Sequence, residues 1–146
     1  MAVMGVNDMT KRTGQCMCGA VAFKADTPDK FAACYCKMCQ RWASGMFAGV
    51  HTTEFEVTKG ADVMTVFKSS EWATRAFCSC CGSNIYYKAD EMATPAVALG
   101  TFDDTEGLIN GIRYFIDMKP EGLTLKGDVK SMTEAECMAH FAPDEG

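Results

Sequence analysis

The sequence predicts a mainly β fold with one or two short helices, and three observations lead there. Short runs rich in β-branched and aromatic residues recur along the chain, separated by Gly, Pro, Asp and Ser clusters. Strands at that spacing suggest a sandwich or an open, barrel-like sheet. Helical signals are confined to two brief stretches. The third observation is nine cysteines in 146 residues, most of them in tight groups, which point to metal or thiol chemistry inside a small sheet fold.

The elements follow in order. Residues 1–12 read as a loose arm and 13–146 as a single domain, a length that fits one domain able to bury about 68–70% of its unfolded surface. "GQCMCGAVAFKAD" alternates after Gly19, with Val21 and Phe23 set against Ala22 and Lys24, a strand signal. "KFAACYC" reads as a strand entering a cysteine group. "KMCQRWA" allows one or two helical turns before Ser44-Gly45 breaks them. "MFAGVHT", "FEVT", "MTVFKS", "TRAFC", "NIYYKA", "AVALGTF" and "RYFIDM" continue the β pattern. "TEAECMAHF" reads as a helix, because Thr133 and Glu136 are spaced as a capping box.

Charge and composition exclude several functions. Fourteen basic against nineteen acidic residues give −5, and the longest basic run is Lys11-Arg12. A nucleic-acid partner would ask for a basic face, so none is expected. The N-terminus lacks a positive start and a sustained apolar run. No stretch reaches the roughly 18 apolar residues of a membrane span. A soluble, cytoplasmic chain without a membrane partner is the expectation, and grouped cysteines in that setting suggest metal sites.

Three groups carry the chemistry: Cys16 and Cys18 before Gly19; Cys34, Cys36 and Cys39; and Cys78, Cys80 and Cys81 before Gly82. In a C-x-x-C-G turn two thiolates point the same way, and glycine accepts the positive φ such a turn needs. On a flat strand residues i and i+2 share a face, so a C-x-C pair can grip one metal. Setting Cys80 and Cys137 aside, seven thiolates divide as four plus three. A structural zinc takes four protein ligands, and a catalytic zinc takes three with one corner for water or substrate. The division expected is Cys16, Cys18, Cys78 and Cys81 around a closed zinc, with Cys34, Cys36 and Cys39 around an open one. Alternatives remain open here. Cys36, Cys39, Cys78 and Cys81 could form one ribbon-type site, Cys80 could close the three-cysteine site, and the clustering could be chance.

The stretches "GQCMCGAVAF", "CYCKMCQRWASGMFAGV", "FCSCCGSNIYY" and "LGTFDD" resemble the glutathione-dependent formaldehyde-activating enzyme family, which includes the centromere protein V group. The resemblance runs from about residue 14 to 104. It implies an Mss4-like fold with two zinc ions and the same four-plus-three assignment of ligands. It implies a carbon–sulfur lyase activity, in which glutathione adds to formaldehyde to give S-hydroxymethylglutathione. Cys34, Cys36 and Cys39 are then the catalytic group. Tyr35 stands where many members have His, and residues 111–146 lack the Trp that many members carry near the C-terminus.

Glutathione carries two carboxylates, and Lys37 and Arg41 flank the three-cysteine group closely enough to bind them or simply to solvate a helix. Trp42 suits a core position, or a pocket wall. His51 reads as a strand residue and His140 as a helix residue remote from metal. Cys137 reads as a small buried apolar side chain, and Asp103-Asp104 as a turn. A zinc-stabilised binding or chaperone-like module without catalysis is the competing function.

Overall fold

The structure is a computed structural model that describes residues 9–141. It is mainly β, and the chain divides into two compact units. One comprises the chain up to Lys30 and from Gly49 to Ile109; the other comprises Phe31–Ala48 and the chain from Asn110 onward. Most of the expected arm lies outside the described residues, but by Thr10 the chain is already in a strand.

In the first unit, β1 (Thr10–Gln15) and β2 (Ala22–Thr27) pair antiparallel. β1 begins inside the stretch read as a loose arm, because "TKRTGQ" is polar and carries no strand signal. Its inward residues explain how it pairs. Arg12 is buried because its guanidinium is fully engaged. It donates to Thr27 Oγ1 at 3.0 Å, Asp29 Oδ1 at 2.9 Å, and the carbonyls of Asp104 at 2.7 Å and Glu106 at 3.1 Å. A buried charge survives only with such pairing. Gly14, opposite Phe23, is the other inward residue. A Cβ there would overlap the Phe23 ring and the Thr101 carbonyl.

Naming the remaining strands in chain order gives β3 (Lys30–Cys34), β4 (Phe47–His51), β5 (Glu54–Lys59), β6 (Met64–Ser70), β7 (Ala73–Cys78), β8 (Asn84–Ala89), β9 (Ala96–Ala98), β10 (Ile109–Tyr114) and β11 (Lys130–Met132). β5 joins β2 to complete a three-stranded sheet in the order β1-β2-β5. In the same unit the end of β4 pairs with β9, and β9, β8, β7 and β6 follow, all antiparallel. Aromatic rings bridge these sheets. Phe23 meets Phe55 and Phe102 at 5.4 Å, and Phe55 meets Tyr86 edge-on at 5.5 Å. The expected strand "AVALGTF" stops at Ala98, where a 3₁₀ turn (Leu99–Thr101) takes over.

The second unit holds most of β3, then helix α1 (Lys37–Ala43), the start of β4, β10, β11 and helix α2 (Glu134–Phe141). β10 and β11 pair in parallel, Ile112 opposite Lys130. "RYFIDM" does not continue as a strand. It stops at Tyr114, Phe115 turns left-handed at φ 57, and a 3₁₀ turn (Ile116–Met118) follows. The two expected helices lie where the sequence put them. Thr133 N–H donates to Glu136 Oε1 at 2.8 Å, and Glu136 N–H donates to Thr133 Oγ1 at 3.2 Å. This is the reciprocal box that satisfies two otherwise orphaned donors. Ala33, Tyr35, Cys39, Phe47 and Cys137 are buried in this unit.

Candidate metal centres

The first unit brings Cys16, Cys18, Cys78 and Cys81 together, with all four Sγ atoms within 4.8 Å of one another. Two turns build the cluster. After β1, Gly19 N–H bonds Cys16 O at 3.1 Å; after β7, Gly82 N–H bonds Cys78 O at 2.7 Å. Both glycines sit at φ 82, the left-handed conformation that a Cβ disfavours. Backbone donors then face the sulfurs. Val21 N–H reaches Cys16 Sγ at 3.2 Å, and Cys80 N–H reaches Cys78 Sγ at 3.3 Å. Ser83 Oγ lies 3.2 Å from Cys81 Sγ and accepts from Met17 N–H at 2.9 Å.

The electrostatics of this cluster are uneven. Ser83 brings Cys81 down to about 5, its hydroxyl first and its N–H second. Burial opposes ionisation of Cys16, but the Val21 N–H and the thiols of Cys78 and Cys18 hold its pKa below the ordinary value. Cys78 is raised by burial. The Ala20 N–H favours the Cys18 thiolate, yet burial and the other three sulfurs push it up to about 12. Cys81 and Cys16 thus lean toward the anionic form, and Cys18 and Cys78 toward the protonated one. Four thiols so arranged could hold one metal ion and are compatible with zinc.

The second unit brings Cys34, Cys36 and Cys39 together within the same 4.8 Å, and among the described residues no fourth His, Cys, Asp or Glu atom joins them. Cys34 ends β3. Cys36 is the N-cap of α1, its Sγ accepting from Cys39 N–H at 3.3 Å. Cys39 lies one turn into the helix and is buried. One short segment therefore aims three sulfurs at one point. Crowding by Cys36 and Cys39, with burial added, drives the Cys34 pKa far up. Like charges crowded at one point disfavour joint ionisation, and a soft dication such as zinc is compatible with the donor set.

The ribbon-type pairing is not what forms. Cys36 and Cys39 cluster with Cys34, and Cys78 and Cys81 with Cys16 and Cys18. Cys80 is exposed and belongs to neither group. Lys37 and Arg41 are exposed on α1, four residues apart and so on one face. Trp42 is half-buried against Phe47, with ring centroids 5.2 Å apart. His51 closes β4 and is exposed, as is His140 on α2. Cys137 is buried and accepts a hydrogen bond from Phe115 N–H at 3.3 Å. Tyr35 is fully buried, and its hydroxyl has no hydrogen-bond partner among the described residues.

Sequence reasoning missed Ser83 and Gln40. Ser83 stands two residues beyond a ligand, a position that could have raised the question. Gln40 Nε2 donates to the carbonyls of Tyr35 at 2.7 Å and Met118 at 2.9 Å. Nothing in its neighbours announces the second bond.

A mainly β fold holding two thiol clusters defines a class: small sheet proteins with cysteine clusters able to hold metal ions. The sequence model of the glutathione-dependent formaldehyde-activating enzymes matches residues 11–118, and the chain belongs to that family. An uncharacterized lyase of Schizosaccharomyces pombe is 26% identical over 132 residues, covering 89% of this chain and 96% of its own. A Halomonas elongata protein, named provisionally as a glutathione-dependent formaldehyde-activating enzyme, is 25% identical over 145 residues, with 90% and 88% covered. Among solved structures, a Rhodobacter sphaeroides protein superposes with a TM-score of 0.53 at 21% identity. It matches 83% of this chain and 99% of that one, and it bears on the fold alone.

Proposed function

We propose that the protein is a zinc-dependent carbon–sulfur lyase that joins a small thiol to a small aldehyde and reverses the reaction. Glutathione and formaldehyde are the proposed pair, giving S-hydroxymethylglutathione. The observation that carries this reading is the three-sulfur cluster of Cys34, Cys36 and Cys39, with no fourth ligand among the described residues. The names of the family and of two relatives support the chemistry.

Two zinc ions per chain are proposed, one held by Cys16, Cys18, Cys78 and Cys81 and one by Cys34, Cys36 and Cys39. When bound at the second cluster, zinc would favour the thiolate form of a substrate near neutral pH and act as a Lewis acid toward a carbonyl oxygen. The chain's residues do the rest. Cys34, Cys36 and Cys39 would hold the cation, and with no fourth protein donor among the described residues a position would be left for substrate. Lys37 and Arg41 present two positive charges on one face of α1 to the two carboxylates of glutathione.

In the addition, the thiol sulfur attacks the carbonyl carbon. A C–S bond forms, the C=O double bond becomes a single bond, and the proton given up by sulfur ends on the oxygen. The reverse breaks the C–S bond and returns the proton. The grouping of seven of nine cysteines in thiolate clusters suits a reducing compartment, and the proposal places the chain in the cytoplasm. Among the described residues no helix is long and apolar enough to cross a membrane.

Metal content and activity measured together test the reading. The purified chain should carry two zinc ions and accelerate S-hydroxymethylglutathione formation above the uncatalysed rate. Cys36→Ser should lose one ion and the acceleration while keeping its circular dichroism spectrum. Full activity in Cys36→Ser would refute it.

A further inference from the structure

The three sulfurs of the second cluster must sit at fixed spacing if they are to share one ion, yet they come from two elements and the short link between them. Cys34 closes β3, Cys39 lies in the first turn of α1, and only Tyr35 and Cys36 lie between the two elements. Tyr35, between two ligands, belongs to neither element. Its backbone is nonetheless held at both polar atoms. Tyr35 N–H donates to Tyr114 O at 3.0 Å. Tyr35 O accepts from Gln40 Nε2 at 2.7 Å.

The Gln40 amide makes a second bond, to Met118 O at 2.9 Å. A carboxamide NH₂ has two donors, and here both go to carbonyls from separate stretches of chain. The main chain of Gln40 is occupied as well. Its N–H bonds Cys36 O at 2.8 Å, and its carbonyl accepts from Ser44 N–H at 2.7 Å and Gly45 N–H at 3.3 Å. The root of the side chain is therefore fixed in α1, and from that root the carboxamide reaches both carbonyls.

The far end of the tie is also fixed. Met118 ends the 3₁₀ turn that follows the left-handed Phe115. Phe115 N–H donates to Cys137 Sγ at 3.3 Å, and Asp117 Oδ1 accepts from Glu134 N–H at 2.7 Å. Both partners belong to α2. Gln40 thus hangs the link between Cys34 and Cys36 on a turn that α2 holds in place.

We propose that Gln40 is the positioning residue of the Cys34, Cys36 and Cys39 site. By fixing the Tyr35 carbonyl it holds the sulfurs of Cys34 and Cys36 at ligating separation before the ion arrives. The proposal rests on reading those three cysteines as a metal site. Partners that orient ligands from behind typically contribute 10–100-fold to metal affinity. Gln40 touches neither ion nor substrate and does its work through the backbone between two ligands.

The test compares zinc affinities of the two sites by chelator competition, with cobalt(II) absorption as the spectroscopic signature. Wild type, Gln40→Met and Gln40→Glu are each loaded. Gln40→Met keeps the length and removes both donors; Gln40→Glu keeps the shape and, ionised, sets an acceptor against two carbonyls. Either variant should bind the second ion about 10–100-fold more weakly, with altered thiolate-to-cobalt bands for that ion. The affinity of the four-cysteine site should be unchanged, and the one-ion form should stay folded, its melting temperature lowered by no more than the loss of two hydrogen bonds costs.

Second-ion affinity within twofold of wild type in both variants would overturn the proposal. So would loss of both ions together with the fold in each variant, since Gln40 would then be a general strut. Wild type that binds only one ion refutes the site itself before any variant is compared, and the proposal falls with it.

Discussion

Ser83 shows how much a single hydroxyl can do beside a thiol cluster. It lies 3.2 Å from Cys81 Sγ, accepts from Met17 N–H and brings Cys81 to about 5. It links the two turns that carry the four clustered cysteines. The sequence shows the cysteines at once but not this bridge, because a serine in a turn has many ordinary reasons to be there. Gln40 was illegible for a related reason. One of its partners is a carbonyl 78 residues away, and carbonyls leave no trace in a sequence.

Tyr86 supplies a residue-scale prediction about pH. Burial raises its pKa above the ordinary value. The folded state therefore prefers the neutral phenol, and its contribution is fully present below about 10, the pKa of an unfolded tyrosine. Above that the unfolded chain ionises first, and the contribution is lost as pH rises through the folded-state value. Tyr86→Phe should flatten the alkaline fall of the melting temperature relative to wild type. Parallel falls in a melting series from pH 8 to 11 would contradict this.

At the scale of elements, the legible parts were those whose signal is local. α1 was readable from "KMCQRWA" and the Ser44-Gly45 break, and the structure ends it with Ser44 left-handed at φ 65. α2 was readable from its capping box. β1 was not, because its inward Arg12 reads as a surface residue until Thr27, Asp29 and two carbonyls surround it. β11 is three residues long, two of them exposed, too short for alternation to register. The end of β10 was misjudged because "RYFIDM" is apolar enough for a strand, and the left-handed turn at Phe115 depends on contacts from α2. Replacing Thr133 with Ala removes one half of the box and should lower stability by about 0.5–2 kcal/mol. Urea unfolding followed at 222 nm measures it, and no change would mean that the box does not hold the helix.

At the scale of the molecule, each unit carries one thiol cluster. The cluster of the first unit joins positions 60 residues apart, with Cys18 Sγ 3.9 Å from Cys78 Sγ. A structural zinc in small finger domains is worth about 10–16 kcal/mol, against a net domain stability of about 5–15 kcal/mol. An ion in that position would be decisive for folding. The cluster of the second unit spans six residues of one segment and constrains little chain. Which cysteines belong together was legible because the groups are compact and divide as four and three. What stands behind each sulfur was not, since backbone donors and carbonyls come from the fold.

An exchangeable position at the second cluster would be visible on cobalt(II) loading followed by glutathione titration. Two cobalt ions should bind per chain, with the thiolate charge-transfer bands of one ion strengthening and shifting as glutathione binds and no such change in Cys36→Ser. A single bound ion, or two whose spectra glutathione leaves unmoved, would rule such a position out.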